Sequence, residues 1–363
     1  MNILFDGVFN CNPKSGVHRY FCNLIKNLPD KFHKYSSTTE SKSYITNHYT
    51  PYFKHFRPHK FSFALEYFWF RKRALAVNFD LVHSAFYNLS KPCRFLLNKG
   101  IPHIITVHDL IHELFDKEDI YIREARKNIL QHANAIITVS HNTKKDLWNI
   151  YPSLEEDKVF VIHHGLNEDQ ENLPQITEYK KNYLLYVGHR EGYKNFKILI
   201  PTLEEIKKKY PIELFVVGPQ PTSSEIQLIK KHNLNDYVKF KRIESDEMLS
   251  KLYKDCIAFL YPSLYEGFGY PLIESMSKGA IPIASKTSCI PEVLGKAGVL
   301  VKPNCPESLA KAVYKIIEKK DFRDSLRLAS IQRSKKFSLK RQIQETINVY
   351  EKVYCNKNNE NPN

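Results

Sequence analysis

The chain has 363 residues, of which 42% are hydrophobic and 13% aromatic, and its formal net charge is +15. This composition excludes global disorder, the length suits two domains of ordinary size, and no run approaches the roughly 18 apolar residues of a membrane span. The positive charge favours an anionic partner, which can be nucleic acid, acidic lipid or a phosphorylated small molecule.

The start of the chain, MNILFDGVF, lacks the basic residues and the long apolar stretch of a signal peptide. Seven cysteines are scattered without a CxxC pair or a zinc-ligand spacing, and several lie among apolar neighbours. They are predicted to be reduced thiols, so we expect a cytoplasmic protein, soluble or attached to the inner face of the membrane.

Short aliphatic and β-branched runs alternate with helical stretches, which is typical of parallel α/β sheets. In the first half, strands are predicted at residues 2–5, 80–83, 103–107, 135–139 and 159–163, and helices at 19–27 and 120–132. The polar stretch 165–181 has no periodicity and contains Pro174, so we interpret it as a linker.

The alternation restarts after this linker. Strands are predicted at residues 183–187, 212–217, 238–241, 257–260, 281–284 and 299–301, and helices at 196–209, 223–232, 246–254, 271–278 and 306–319. Two successive units of this kind predict an α/β protein with two Rossmann-like, doubly wound domains facing a cleft, at residues 1–170 and 171–338. Residues 339–363 are expected to form a C-terminal helix that returns to the first domain, and a disordered tail.

The segment YPSLYEGFGYPLIE, at residues 261–274, combines two carboxylates with two glycines. Gly267 and Gly269 let backbone N–H groups approach an anion, and the helix that opens at Pro271 favours negative charge at its N-terminus. Glu274, about one turn into that helix, is placed to bind the two hydroxyls of a ribose, and Glu266 in the loop is placed near a transferred group. The alternative is an ordinary strand-loop-helix junction with surface glutamates.

Residues 263–274 resemble, throughout, the S-x-x-E-G-F-G-x-P-x-x-E signature of the retaining GT-B glycosyltransferases of family 4. Other landmarks of that family follow in order: SGVHRY at residue 15, TVHD at 106, VS at 139, VIHHG at 161, YVGHREGYKN at 186 and IPEV at 290. The resemblance covers nearly the whole chain. It implies the GT-B architecture, with an acceptor-binding N-terminal domain and a C-terminal domain that binds the nucleotide sugar.

The resemblance implies a hexosyltransferase that moves a sugar from a GDP- or UDP-linked donor to a glycan or lipid-linked saccharide, without a bound cofactor. The loop at residues 186–195 is similar to that of bacterial surface-polysaccharide mannosyltransferases, which implies a part in polysaccharide or lipopolysaccharide biosynthesis. No DxD lies between strand-like residues, and Asp80 and Asp109 are isolated acids, so a metal-independent site is expected.

The family pattern, carried over residue by residue, implies four catalytic side chains. Lys194 and Arg190 would grip the leaving diphosphate, although the family often has an arginine directly before the lysine, where this chain has Tyr193. Glu266 would stabilise positive charge at the anomeric carbon, and His108 would bond the sugar or position the acceptor. A purely structural role is the alternative for this strand-end histidine. The implied donor-binding residues are Gly16, Gly267, Phe268, Gly269 and Glu274.

Residues 47–73 interleave aromatic rings with basic side chains and are the part least like a regular α/β unit. Rings among lipid headgroups, with cations on anionic lipid, explain this mixture, and stacking on single-stranded nucleic acid is a second explanation. A core helix with a solvated basic face is the third. We expect the first, because the acceptor domain of such enzymes is the N-terminal one. The acceptor-binding residues are then predicted to be Asp109, Arg71, Lys72 and Arg73.

Two rival functions have recognisable signatures. A nucleotide-sugar epimerase of the same fold would lack the full E-G-F-G-x-P-x-x-E run, and the glycan phosphorylases are larger and depend on a pyridoxal cofactor. A basic nucleic-acid-binding protein would carry a helix-turn-helix, zinc, RNP or KH pattern, and none accompanies the charge here. We therefore expect no nucleic-acid partner.

Overall fold

The computed structural model describes residues 1–6, 15–36, 77–85, 91–115, 120–167, 182–190 and 192–360, and the single positions 61, 62, 64, 65, 68 and 72. These residues form two compact units. Unit 1 consists of Met1–Gly165 and Leu339–Asn363, and unit 2 consists of Leu166–Ser338. The chain therefore leaves unit 1 once and returns to it for its last helix.

The described part of unit 1 contains a six-stranded parallel sheet in the order β2-β1-β3-β4-β5-β6. Its strands are β1 (Asn2–Phe5), β2 (His33–Ser36), β3 (Leu81–Ala85), β4 (His103–Val107), β5 (Ala135–Thr138) and β6 (Val159–Val161). Its helices before the crossover are α1 (Gly16–Asn27), α2 (Lys91–Leu97), α3 (Ile111–Phe115), α4 (Ile120–Gln131) and α5 (His141–Ile150). Every residue of β3, β4 and β5 is buried, as expected for strands covered on both faces of a parallel sheet.

The first helix shows how local sequence determines these elements. The Ser15 side chain accepts a hydrogen bond from the His18 backbone N–H at 3.1 Å, which caps α1 at its N-terminus. The buried residues Tyr20, Phe21 and Leu24 recur at helical spacing, so one face of α1 packs on the sheet.

Unit 2 contains a second six-stranded parallel sheet, in the order β12-β11-β10-β7-β8-β9. Its strands are β7 (Tyr183–Val187), β8 (Glu213–Val217), β9 (Val238–Lys241), β10 (Ala258–Tyr261), β11 (Pro282–Ser285) and β12 (Val299–Val301). Its helices are α6 (Leu199–Lys207), α7 (Ser223–Lys231), α8 (Asp246–Asp255), α9 (Tyr270–Ser277), α10 (Ile290–Leu294), α11 (Pro306–Glu318) and α12 (Lys320–Ser334). The strand order reverses at β7, which lies between β10 and β8, and ligands of doubly wound folds bind at such a point.

The last helix, α13 (Leu339–Glu360), completes the core of unit 1. Ile343, Ile347 and Tyr350 recur at helical spacing and are buried in the same cluster as residues of the sheet. The Tyr350 hydroxyl lies 2.6 Å from Nδ1 of His83 in β3, which fastens the helix to the sheet by a polar contact as well.

The predicted α/β class with doubly wound domains is confirmed by these two sheets. The elements that were not predicted include the strand β2 and the helices α2, α3, α10 and α12. The described cysteines, Cys22, Cys93, Cys256, Cys289, Cys305 and Cys355, all have free thiols. None of the described helices combines the length and the apolar character that crossing a bilayer requires.

The close approach of the ends of β7 and β8 can be tested at Gly218, which directly follows β8. A Cβ atom on Gly218 would lie 2.4 Å from the backbone oxygen of Gly188, which follows β7. We expect Gly218→Ala to destabilise unit 2 by about 3 kcal/mol, because the atom that the methyl group meets is backbone and cannot rotate away. Chemical denaturation measures this change.

Gly192→Ala is the matched control, because Gly192 has a φ of +53° and open space around its Cβ position. It should lose only the cost of a left-handed residue, about 1 kcal/mol. Equal losses in the two variants would contradict the close approach of the two strand ends.

Candidate functional site

Two loops of unit 2 lie side by side because they follow neighbouring parallel strands. The loop after β7 contains Tyr193 and Asn195, and the loop after β10 contains Pro262 and Leu264. The Leu264 N–H donates to the Tyr193 carbonyl at 2.7 Å, and the Asn195 side-chain amide donates to the Pro262 carbonyl at 3.2 Å. Asn195 adopts a left-handed backbone, with a φ of +54°. The two loops are therefore fastened together at two points.

This fastening brings together two of the predicted catalytic residues. Nζ of Lys194 lies 2.7 Å from Oε1 and 2.9 Å from Oε2 of Glu266, although the two residues are 72 positions apart. The Glu266 side chain is 8% exposed and that of Lys194 is 21% exposed. The carboxylate is therefore buried, whereas its cationic partner remains partly open to solvent.

Three titratable groups near the Glu266 carboxylate are uncharged. Burial, and then the negative charge of Glu266, raise the pKa of Tyr186, Tyr261 and Cys289 well above their ordinary values. All three groups therefore stay neutral at physiological pH. The Lys194–Glu266 pair carries the charge at this point of unit 2.

The E-G-F-G run leads directly into α9. Gly269 precedes the helix with a φ of +95°, a value that glycine adopts without strain, and Pro271 lies in the first turn. Phe268 is buried, and its ring centroid lies 5.5 Å from that of Phe337, so its side chain belongs to the core. Gly267 is buried in the loop, and Glu274 is half-buried in α9.

Arg190 is held inside the fold and does not reach out as predicted. Its Nε and Nη2 donate to the two carboxylate oxygens of Glu225 at 2.7 and 3.1 Å. Its Nη1 donates to the Pro219 carbonyl at 2.8 Å, and its Nη2 also donates to the Gln220 carbonyl at 2.9 Å. The side chain is 4% exposed. The structure thus does not support a direct grip of Arg190 on a diphosphate, because every nitrogen of the guanidinium already has an acceptor.

Glu225 is fixed as firmly as its partner. It receives the Thr222 backbone N–H at 2.7 Å and forms a capping box at the start of α7. Burial raises the pKa of Glu225, but the hydrogen bonds from Arg190 and Thr222 outweigh this effect and leave the pKa below its ordinary value. The Arg190–Glu225 pair therefore joins the loop after β7 to the start of α7, and Arg190 is a positioning residue for that loop.

In unit 1, His108 follows β4 and lies among aromatic rings. Its ring stacks on that of His164 at 5.4 Å with an interplanar angle of 21°, and Tyr20 contacts it edge-on at 4.9 Å. Burial lowers the pKa of His108 to about 3, so the imidazole is neutral at physiological pH. Its Nε2 is buried and has no hydrogen-bond partner among the residues that the structure describes. A neutral ring of this kind can donate or accept one hydrogen bond with a ligand.

Other predicted residues of unit 1 have simpler surroundings. Gly16 is exposed as the first residue of α1. Asp109 accepts the Ile111 backbone N–H at 3.2 Å, at the start of α3. Lys72 is exposed and helical, whereas Arg71 and Arg73, with most of the segment 47–73, lie outside the described residues.

A buried polar network around the Thr106 hydroxyl was missed in the sequence analysis. Nε2 of His83 lies 2.8 Å from the Thr106 hydroxyl, and the Tyr20 hydroxyl lies 3.2 Å from the same oxygen. Burial, and then the nearby histidines, lower the pKa of His83 well below its ordinary value. The available signal was the pair of polar residues, His83 and Ser84, within the strand β3, since buried polar groups are almost always hydrogen-bonded.

Both halves of the chain match known families. Residues 168–336 match the family described as Glycosyl transferases group 1, and residues 14–170 match Glycosyltransferase Family 4. O-antigen chain mannosyltransferase B of Escherichia coli is 26% identical over 278 residues, which are 70% of this chain and 72% of that protein. The uncharacterized glycosyltransferase MJ1178 of Methanocaldococcus jannaschii is 28% identical over 349 residues, which are 93% of this chain and 95% of that protein.

A solved structure shares the fold. The crystal structure of Anabaena Alr3699/HepE in complex with UDP and glucose superposes with a TM-score of 0.75 at 16% identity, covering 97% of this chain and 100% of that one. The two doubly wound parallel units thus define an α/β protein of the GT-B fold class. Since glycosyltransferase families match both halves of the sequence, the chain belongs to the family 4-like glycosyltransferases and is a hexosyltransferase.

The Arg190–Glu225 pair gives a prediction about stability. Arg190→Met should destabilise unit 2 by about 3–5 kcal/mol, because it leaves the buried Glu225 carboxylate without its cation. The double variant Arg190→Met/Glu225→Leu should regain most of this loss, since a buried ion pair can be replaced by apolar groups at little cost. Chemical denaturation at pH 7 measures both.

The stability that the Arg190–Glu225 pair contributes should fall at low pH. Because the pKa of folded Glu225 is lowered, its stabilisation is complete above the ordinary carboxyl pKa and is lost as the pH falls through the lowered value. If the Arg190→Met variant, with Glu225 unchanged, were as stable as the wild type at pH 7, Arg190 would not be the residue that fixes this loop.

Proposed function

We propose that this hexosyltransferase moves a sugar, with retention of its anomeric configuration, from a GDP- or UDP-linked donor to a glycan or lipid-linked saccharide acceptor. The observation that carries the proposal is the contact of 2.7 Å between Lys194 and Glu266 beside the glycine-containing loop that opens α9. It joins a cation for a leaving diphosphate to a carboxylate for the sugar, which are the two charges that this reaction needs.

Lys194 stabilises the leaving group. In the reaction the bond between the anomeric carbon and a phosphate oxygen breaks, and negative charge grows on the diphosphate. Lys194 is partly open to solvent, and the amides of residues 267–269 together with the N-terminus of α9 add further donors to an anion. This arrangement does the work that a divalent cation does in other transferases, so we propose a metal-independent reaction.

Glu266 interacts with the transferred sugar. With its carboxylate buried, it interacts strongly with positive charge that develops at the anomeric carbon, and it can accept hydrogen bonds from sugar hydroxyls. The new bond forms from the acceptor oxygen to the anomeric carbon on the face that the diphosphate leaves. The proton of the acceptor passes to the departing phosphate oxygen, so no separate strong base is required.

The pairing of Lys194 with Glu266 has a consequence for donor binding. Before the donor arrives, each charge neutralises the other. A diphosphate competes with the carboxylate for the same ammonium group, so donor binding frees Glu266 to accept hydrogen bonds from the sugar. The half-buried Glu274 of α9 is assigned to the ribose hydroxyls.

The acceptor is assigned to unit 1, where His108 offers a neutral imidazole against the ring of Tyr20, whose hydroxyl lies 3.2 Å from that of Thr106. The names of two similar proteins support the finer assignments. One is an O-antigen chain mannosyltransferase, which supports mannose and surface-polysaccharide synthesis, and the other binds UDP and glucose. The charge of +15 supports a cytoplasmic enzyme attached to anionic lipid at the inner face of the membrane, where lipid-linked acceptors are found.

The proposal is tested by release of nucleoside diphosphate that depends on an added saccharide acceptor, with GDP-mannose, UDP-glucose and related donors. The anomeric configuration of the product, read by NMR, tests retention. We expect the activity to persist in excess EDTA, because Lys194 and backbone amides supply the positive charge. Loss of activity in EDTA that is restored by Mg²⁺ or Mn²⁺ would contradict the metal-independent grip.

Lys194→Ala should lower turnover by roughly 10²–10³, as removal of one preorganised donor to a developing negative charge does. Lys197→Ala is the matched control, since Lys197 is exposed three residues further along the chain. It should leave turnover unchanged. Equal activities in both variants would exclude Lys194 from the site.

A further inference from the structure

Two side chains that follow β11 bind the backbone of the loop that carries Glu266. We call residues 264–268 the Glu266 loop. The Thr287 hydroxyl donates to the Leu264 carbonyl at 3.1 Å. The next residue, Ser288, accepts the backbone N–H of Glu266 on its hydroxyl oxygen at 3.0 Å.

The residue after these two binds the same loop from the buried side. The Cys289 thiol donates to the Glu266 carbonyl at 3.1 Å and to the Phe268 carbonyl at 3.3 Å. Cys289 is fully buried, and burial followed by the charge of Glu266 raises its pKa, so the sulfur keeps the proton that it donates. Three consecutive side chains therefore form four hydrogen bonds to one short loop.

The backbone of Ser288 shows that this arrangement is held against a local cost. Its φ is +45°, in the left-handed region that non-glycine residues rarely adopt. Such a conformation persists only where the surrounding structure determines it. In this conformation the Ser288 hydroxyl lies where it can accept the hydrogen bond from the Glu266 N–H.

We infer that Thr287, Ser288 and Cys289 are positioning residues, which fix the backbone of Glu266 on both sides and thereby hold its carboxylate against Lys194. Both the N–H and the C=O of Glu266 are engaged, so neither of its peptide planes can turn without breaking a hydrogen bond. The inference rests on the proposed function, in which the Glu266 carboxylate must meet the transferred sugar without rearrangement.

Ser288→Gly is the variant that separates positioning from stability. It removes the acceptor for the Glu266 N–H, but it also relieves the left-handed strain of Ser288. The midpoint of thermal unfolding should therefore stay within about 3 °C of the wild-type value. Turnover should fall about tenfold, with unchanged affinity for the donor nucleoside diphosphate, because a buried donor without a partner shifts the population of ordered loops by about that factor.

The matched control is Ser245→Gly, because the Ser245 hydroxyl also accepts a backbone N–H, that of Met248 at 3.2 Å, but at the start of α8. It should leave turnover unchanged. A second pair, Cys289→Ser and Cys289→Ala, tests the thiol. The serine variant keeps a hydrogen-bond donor and should retain more turnover than the alanine variant.

Hydrogen exchange provides a readout that does not depend on activity. Peptides spanning the Glu266 loop should exchange faster in Ser288→Gly than in the wild type, whereas Ser245→Gly should leave them unchanged. Unchanged exchange in Ser288→Gly, or a fall in nucleotide affinity as large as the fall in turnover, would overturn the positioning role. If instead the wild type transfers no sugar while exchange responds as expected, the proposed function fails and the control of the Glu266 loop stands.

Discussion

The parallel pairing of β7 with β10 is the constraint on which the site of unit 2 depends. Ala258 lies opposite Leu184 and Phe259 opposite Leu185, so both strands end at the same edge of the sheet. Antiparallel strands would send their following loops to opposite edges. Because these two strands run in the same direction, the loop with Lys194 meets the loop with Glu266, and two hydrogen bonds join the loops. The chemistry thus depends on topology before it depends on any side chain.

Two buried carboxylates are paired with cations among the described residues of unit 2, and the two pairs differ in how far solvent reaches the cation. The Arg190–Glu225 pair is enclosed, and carbonyl groups occupy the remaining nitrogens of the arginine. The Lys194–Glu266 pair is enclosed only on the side of the carboxylate. An enclosed pair adds rigidity and cannot change partners, since separation would leave a charge in a medium of low polarity. A cation that solvent can reach can exchange its carboxylate partner for another anion, which agrees with the proposed contact of Lys194 with a diphosphate.

The sequence predicted the parts of the molecule whose signals are local. β7 (YLLYV) is a continuous apolar run and β4 (HIITV) is rich in β-branched residues, and the bounds of both strands agree with the prediction at residues 183–187 and 103–107. The edge strand β2 was missed, because its residues HKYS carry no apolar pattern. The place of Arg190 could not be predicted, since its partner Glu225 is 35 positions away and becomes a partner only when α7 packs. The residues after β11 were missed for the same reason, because hydrogen bonds to a distant backbone leave no pattern in the sequence.

The return of α13 to unit 1 has a consequence for how the protein is made. The core of unit 1 includes Ile343, Ile347 and Tyr350 along with residues near the start of the chain, such as Ile3 and Phe5. During synthesis, which proceeds from the N-terminus, the first sheet emerges from the ribosome long before the helix that covers it. All of unit 2 is translated in between. Unit 2 can therefore reach its native state while the nascent chain is still growing, whereas unit 1 keeps part of its apolar surface uncovered until α13 has been translated. The N-terminal half of this enzyme is accordingly the half that finishes folding last.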